Sequence, residues 1–537
     1  MTATGYYETL LSLLAVLAAV ALLARRLNTA PSILLVAAGV VLALIPGIPA
    51  IELSPQFVLL IILPPLIYSA GVAMSWREFR FNLRPIALLA FGCVVFTTCA
   101  VAAAAHYVLA LPWNIGFLLG AIVSPPDVVA PLALARRLGL PRRLVVVLEG
   151  EGLANDATAL VLYRFAVAAI STGAFSFPEA AATFGAIVIG EIAYGVGVGW
   201  VSLRLRHWAR DPRVEITLSL MTPYLAYWVP EHLGGSGVLA TVAAGLYVSW
   251  NGPGLISSAT RLQGIFFWDL LVYLIEGFVF LVTGLQARTL LERTAAISAG
   301  ELLLGVVVTT LVCISARFLW VFPAAYLPRL LFPAIRSRDP YPPWRVPFML
   351  AFIGIRGVVS LAAALAVPFT LQNGAPFPYR ETIIVVVFGV IILTLVGQGL
   401  LMPAVARLLH LPRLAAQEKR EEREAELRVR RAALAIAERR LQALSDANGL
   451  KEEAAKHLRA RNHQRSLHMP QLLEKGSATA ATNAQLHLEL IKAEREFLHE
   501  LLRKGEITDE SRRRIERELD LEEESIFCNR DAYEPPL

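Results

Sequence analysis

The chain has 537 residues, 56% of them hydrophobic and 17% charged, with a mean hydropathy of +0.58 and a formal net charge of +6. That apolar weight excludes an ordinary soluble domain and places the chain in the membrane class. The mild basic excess calls for no nucleic-acid partner, and Cys93, Cys99, Cys313 and Cys528 are too scattered for a disulfide framework or a metal site.

Apolar runs predict spans at 6–24, 32–49, 55–74, 85–109, 113–135, 144–170, 180–203, 214–230, 236–250, 262–285, 300–327, 346–369 and 380–406. Each is near the length that crosses roughly 30 Å of hydrocarbon. The first run lacks the basic flank and small-residue cleavage site of a signal peptide and reads as a retained span. The connections test the count of thirteen. Odd-numbered connections carry eighteen arginines, from Arg25 to Arg345, and even-numbered ones carry three, Arg288, Arg293 and Arg380. The positive-inside rule then puts the odd connections and the tail in the cytoplasm of a plasma membrane, with the N-terminus outside. The expected fold is an all-α membrane domain over 1–410, with thirteen helices in two inverted repeats and crossed broken helices. A helical cytoplasmic domain is expected over 411–537.

Two halves of six spans around a linker span make the fifth and twelfth equivalent. The fifth holds Pro125 and Pro126, which remove helix hydrogen bonds, and the twelfth holds Gly354-Ile355-Arg356-Gly357, where glycines loosen the helix around an arginine. Paired interruptions of this kind point to a transporter site at the bilayer midplane.

Four carboxylates surround that site: Asp127, Glu149, Glu151 and Asp156. A carboxylate in hydrocarbon needs a partner, a watery cavity or a transport role. At 100° per residue Glu151 and Asn155 share one face of the sixth span, and Glu149 and Asp156 a neighbouring one. Glu151 is expected to pair with Arg356 as a structural tether, with Arg164 and Arg317 as rival partners. Asp156 then remains as the exchangeable acid. Desolvation disfavours its charged form, and a proton or a hard cation neutralises it, never both together. Asn155 orients Asp156 without adding charge. The helix ends at Pro125 and Pro126 offer carbonyls to the ion, and Asp127 neutralises them or caps the second half-helix. Every lysine lies in the tail, the first being Lys419. With one exchanging acid and no lysine to release a second proton, the expected stoichiometry is one cation for one proton.

These residues resemble the sodium/proton exchanger family of monovalent cation antiporters. The likeness covers residues 1–410 through LPPLIYSAG at 63–71, AIVSPPDVVAP at 121–131, LEGEGLANDATALVLYRF at 148–165, WDLLVYLIEGFVFLVTGLQ at 268–286 and GIRGVVS at 354–360. The resemblance implies a homodimer in lipid, a fixed interface domain and a moving core, with Asp156 binding the ion. It also implies an Asn155-Asp156 pair marking electroneutral exchange, the Glu151–Arg356 pair, and no cofactor or enzymatic reaction. Three positions depart from the pattern: Pro126 stands where a threonine is common, Gly152 where a serine is common, and Ser69 where an acid is common. Na⁺ remains the expected ion, with Li⁺ and K⁺ open.

Glu276 is expected to partner Arg317 or line a funnel, Asp269 lies in the same span, and Glu191 is expected to border a watery crevice or an interface. His106 and His232 read as solvated residues near external ends. The tail alternates Glu and Arg at helical spacing over 417–447, with further helices expected at 484–504 and 509–526, and suits a dimer-stabilising appendage. Rival classes are a cation channel, an intramembrane aspartyl protease, which lacks a Gly-x-Gly-Asp arrangement, and a membrane-embedded sensor, for which 411–537 supplies no signalling motif.

Overall fold

The computed structural model describes residues 3–27, 30–45, 54–172, 177–293, 298–371 and 374–446, with short pieces between 490 and 523. These residues are almost wholly helical, with one isolated bridge between Thr370 and Pro376. In chain order the helices are α1 (Ala3–Leu27), α2 (Pro31–Ala43), α3 (Pro55–Ala73) and α4 (Leu83–Tyr107). The fifth crossing is split into α5a (Trp113–Val123) and α5b (Val129–Arg137). There follow α6 (Arg142–Thr172), α7 (Phe177–Ala209), α8 (Pro212–His232), α9 (Val238–Asn251), α10 (Ser258–Arg293) and α11 (Ala299–Leu331). The twelfth crossing is split into α12a (Arg345–Phe352) and α12b (Val358–Leu365), before α13 (Arg380–Leu408) and α14 (Leu411–Asp446). Seven of these helices are long and apolar enough to cross a membrane unaided, and shorter apolar helices accompany them.

The two split crossings stand seven apart, so an odd number of turns separates them and they run in opposite directions. Backbone contacts divide the chain into Met1–Leu414 and Ala415–Leu537. The tail helices expected at 484–504 and 509–526 fall mostly outside the described residues.

Within the first unit the helices sort into two bundles. Helices α1–α3 and α7–α10 pack on one another, as do α4–α6 and α11–α13. Glycine permits the closest approaches, the usual device where lipid removes the hydrophobic drive for helix pairing. Gly39 of α2 and Gly284 of α10 lie back to back, and a Cβ on either would overlap the other helix's carbonyls. In the second bundle, Gly116 and Gly120 seat α5a on the α4 backbone in the same way.

Buried charges fix other joints. Glu191 of α7 is buried and accepts from the N–H groups of Ser236 (2.6 Å), Gly237 (3.2 Å) and Leu239 (3.2 Å). It is the N-terminal cap of α9, supplied by another helix, which puts it at an interface between helices. Outside the spans, Asp339 receives Arg84 (2.5 Å), Arg143 (2.8 Å) and Arg329 (2.6 Å). Burial works against the charged form of Asp339, but Arg329 and Arg143 outweigh it and hold the carboxyl below its ordinary value.

Candidate functional site

The two breaks meet. The backbone N–H of Asp127, between α5a and α5b, donates to the Ile355 carbonyl, between α12a and α12b, at 2.7 Å. Four half-helix ends therefore converge, two negative C-termini and two positive N-termini.

Each pole has its own neutraliser. At the C-terminal ends, Arg356 Nε donates to the Val123 carbonyl of α5a at 2.8 Å and Nη1 donates to the Gly354 carbonyl just past α12a. Arg317 of α11 adds an Nε bond to Leu350 O of α12a at 3.1 Å. At the N-terminal ends, Asp127 Oδ1 accepts the Val129 N–H at 2.9 Å and so caps α5b. Its Oδ2 packs against Gly357 at the start of α12b, where a Cβ would overlap it. The cap and the neutraliser of helix ends are thus one role at Asp127.

The expected Glu151–Arg356 pair is not formed. Glu151 is fully buried (0% exposed) and accepts a two-pronged ion pair from Arg317 (2% exposed), through Nη1 and through Nη2 at 2.8 Å. The reason is geometric. Arg356 lies within the break of the twelfth crossing, where the guanidinium meets orphan carbonyls first, whereas α11 presents Arg317 to the buried face of α6. Arg164, the other rival, pairs with Glu231 of α8 at 2.5 Å.

The faces of α6 separate as helical spacing predicts. Glu151 and Asn155 are fully buried, and Asn155 Nδ2 donates to the Pro126 carbonyl at 2.7 Å, tying α6 to the break. Glu149 and Asp156 line a cavity of about 790 Å³ that also receives Pro126, Asp127, Ser69 and Glu276. Glu149 is held by Arg136 at 2.5 Å. Glu276 does not partner Arg317; it opens into the chamber with Asp127 and Asp156. Among the described residues, Asp156 makes no side-chain hydrogen bond or ion pair.

The cavity runs from the crossing to the face that bears the α5–α6 and α9–α10 connections, where Arg136, Pro253 and Arg261 rim it. Toward the other face, Leu153, Ala157 and Leu160 of α6 pack with Tyr227, Val238 and Val242 of the opposite bundle. The Arg164–Glu231 pair joins α6 to α8 beyond them.

Sequence reasoning missed two contributors to the site. Gly357 was legible as a hinge, but its role as the seat for Asp127 depends on which helices cross. Gly152, legible in the sequence only as a departure from the family pattern, faces Val128, whose side chain fills the space that a Cβ would need.

The description "Sodium/hydrogen exchanger, transmembrane" matches residues 12–408. An uncharacterized Na⁺/H⁺ exchanger of Mycobacterium tuberculosis is 33% identical over 524 residues, 95% of this chain and 94% of that one. The Na⁺/H⁺ antiporter ApNhaP of Aphanothece halophytica is 32% identical over 488 residues, 86% of this chain and 88% of its own length. A sodium, potassium, lithium and rubidium/H⁺ antiporter of Bacillus pumilus is 33% identical over 377 residues, 68% of this chain and 56% of its own. The solved structure of the sodium proton antiporter MjNhaP1 from Methanocaldococcus jannaschii has the same fold, with a TM-score of 0.61 at 20% identity, covering 76% of this chain and 99% of that one. A family match spanning the membrane unit, on a fold built around two crossed broken helices, makes this chain a member of the sodium/hydrogen exchanger family.

Proposed function

We propose that the chain exchanges a monovalent cation for a proton across the plasma membrane, one for one, by rocking its two bundles about Asp156. Na⁺ is the foremost cation, with Li⁺ and K⁺ as further substrates; the relatives named for sodium, potassium and lithium antiport support this range. The observation that carries the reading is the charge balance at the crossing. Glu151 is answered by Arg317, Asp127 by two helix N-termini, and Arg356 by two C-termini. Asp156 keeps no fixed partner and lines the cavity, so its counter-charge has to be a visitor. Proton and cation compete for that place, and competition at a single acid couples their fluxes.

The arginine bias supports a cavity open to the cytoplasm, with the N-terminus outside and the tail inside. A cation channel fits less well, because the chamber stops at the packed layer of Tyr227, Val238 and Leu160. The homodimer rests on family resemblance, and the bundle of α1–α3 and α7–α10 is its proposed fixed half.

The test is exchange in proteoliposomes holding the full chain, with Na⁺, Li⁺ and K⁺ supplied in turn. One-for-one exchange moves no net charge, so a potential worth about 2.3 kcal/mol per charge per 100 mV does no work on it. Clamping the potential at zero with valinomycin and K⁺ therefore leaves the Na⁺-driven rate unchanged. A rate that follows the potential would mean a different stoichiometry.

The outer pair gives a second expectation. Arg164→Gln loosens the closed side by the worth of a partly exposed ion pair, about 1 kcal/mol, or roughly fivefold in the population open to that side. In a background without native cysteines, Tyr227→Cys should then react roughly fivefold faster with an impermeant thiol reagent added from outside. Equal labelling with and without Arg164 would remove the pair from the gate.

A further inference from the structure

We infer that the hydroxyl of Ser360, on α12b, is the neutral oxygen ligand that the transported cation meets opposite Asp156, an assignment that rests on the exchange reading above. Several oxygens at the crossing already hold a donor, although the buried Asn155 Oδ1 has none. Pro126 O takes the Asn155 amide, Ile355 O the Asp127 N–H, and Val123 O and Gly354 O take Arg356. The Ser69 hydroxyl, though in the cavity wall, is turned to Leu66 O at 2.9 Å. Ser124 bonds Ala121 O at 3.3 Å, and Thr394 is engaged by the Arg356 N–H at 3.1 Å and by Val390 O at 2.8 Å.

Ser360 differs in its place on the helix. Hydroxyls inside helices ordinarily bond the carbonyl four residues back, as Thr98, Thr158, Thr283 and Thr310 do here. Four residues before Ser360 lies Arg356, in the break, so no helical carbonyl stands in register. Among the described residues its hydroxyl makes no protein hydrogen bond, yet the residue is 2% exposed and lines the same cavity as Asp127 and Asp156.

Its neighbours give its surroundings. Gly357, one turn earlier on the same face, carries Asp127 Oδ2 against its Cα. Ser360 also lines a small void with Pro125 and Ala159, the latter one turn beyond Asp156. The hydroxyl of a nearly buried residue thus lines the chamber that both acid-bearing segments face.

A hard alkali cation needs several oxygens to replace the water it sheds, and ligand number and field strength set its selectivity. A proton on Asp156 needs none. Ser360 should therefore act on the cation half of the exchange and not on the proton half.

The test uses the full chain in proteoliposomes with Na⁺, Li⁺, K⁺ and Tl⁺. Ser360→Ala should raise the apparent KM for Na⁺ and Li⁺ by roughly tenfold, the worth of one lost bond to a charged group, with the maximal rate at saturating cation unchanged. Ser360→Cys keeps the size but swaps a hard oxygen for a soft sulfur. It should weaken Na⁺ similarly while keeping Tl⁺, so the Tl⁺ over Na⁺ preference rises roughly tenfold. A packing role would leave the near-isosteric Ser360→Cys like the native chain for every ion, and that result overturns the assignment, as does a native KM in Ser360→Ala. If the native chain couples no cation to proton movement, the exchange reading falls and this assignment falls with it. Native exchange with indifferent Ser360 variants overturns the ligand role alone.

Discussion

Asp156→Asn should abolish cation-coupled proton movement, by at least about a hundredfold, in a chain that still folds and inserts. The amide keeps the size and loses the charge, so neither a proton nor a cation has anything to neutralise. Folding should be spared because Asp156 holds no fixed partner, and its loss orphans no buried group. The other acids cannot take over in place. Glu151 is committed to Arg317, Glu149 to Arg136 and Asp127 to the start of α5b. Glu276 is the exception, since it shares the chamber. Fluorescence quenching in everted vesicles, driven by Na⁺ pulses, measures the effect. Native-rate exchange in Asp156→Asn would sink the mechanism, and its disappearance in Asp156→Asn/Glu276→Gln would move the exchanging acid to α10.

The distribution of apolar runs and arginines made most of the architecture legible, because bilayer thickness and charge asymmetry act on every crossing independently. The broken crossings were legible through Pro125, Pro126, Gly354 and Gly357, residues whose backbone effects are local. Partner choice was not. Glu151 has three arginines within the membrane unit as formal candidates, and the selection depends on how α6, α11 and the twelfth crossing pack. Arg356 illustrates the reason. Its nearest acceptors are main-chain carbonyls exposed by the break in its own crossing and in α5, and backbone acceptors leave no mark in the amino-acid order. Glu191 stayed open between crevice and interface for the same cause, since its partners are the N–H groups opening α9. Charges that serve helix ends look unpaired in a sequence.

The buried ion pair gives the second large effect. Glu151→Gln or Arg317→Met alone leaves an uncompensated charge in a dry interior, a cost of about 3–5 kcal/mol, against a total stability of about 5–15 kcal/mol. Either single variant should therefore elute poorly and melt far below the native chain when followed by fluorescence-detected size exclusion. Glu151→Gln/Arg317→Met removes both charges together and should recover most of the lost melting temperature, because a fully replaced buried pair is often neutral. Arg356→Ala acts differently. It orphans the carbonyls of Val123 and Gly354, costing about 1–3 kcal/mol, and so it should restore Glu151→Gln less than Arg317→Met does. Rescue of Glu151→Gln by a change at Arg356, and not at Arg317, would reverse the assignment. The two arginines thus carry separable loads: Arg317 balances the buried acid of α6, while Arg356 holds the two negative helix ends together. Only when both are satisfied does the crossing stay neutral without Asp156, leaving that one acid to change partners during transport.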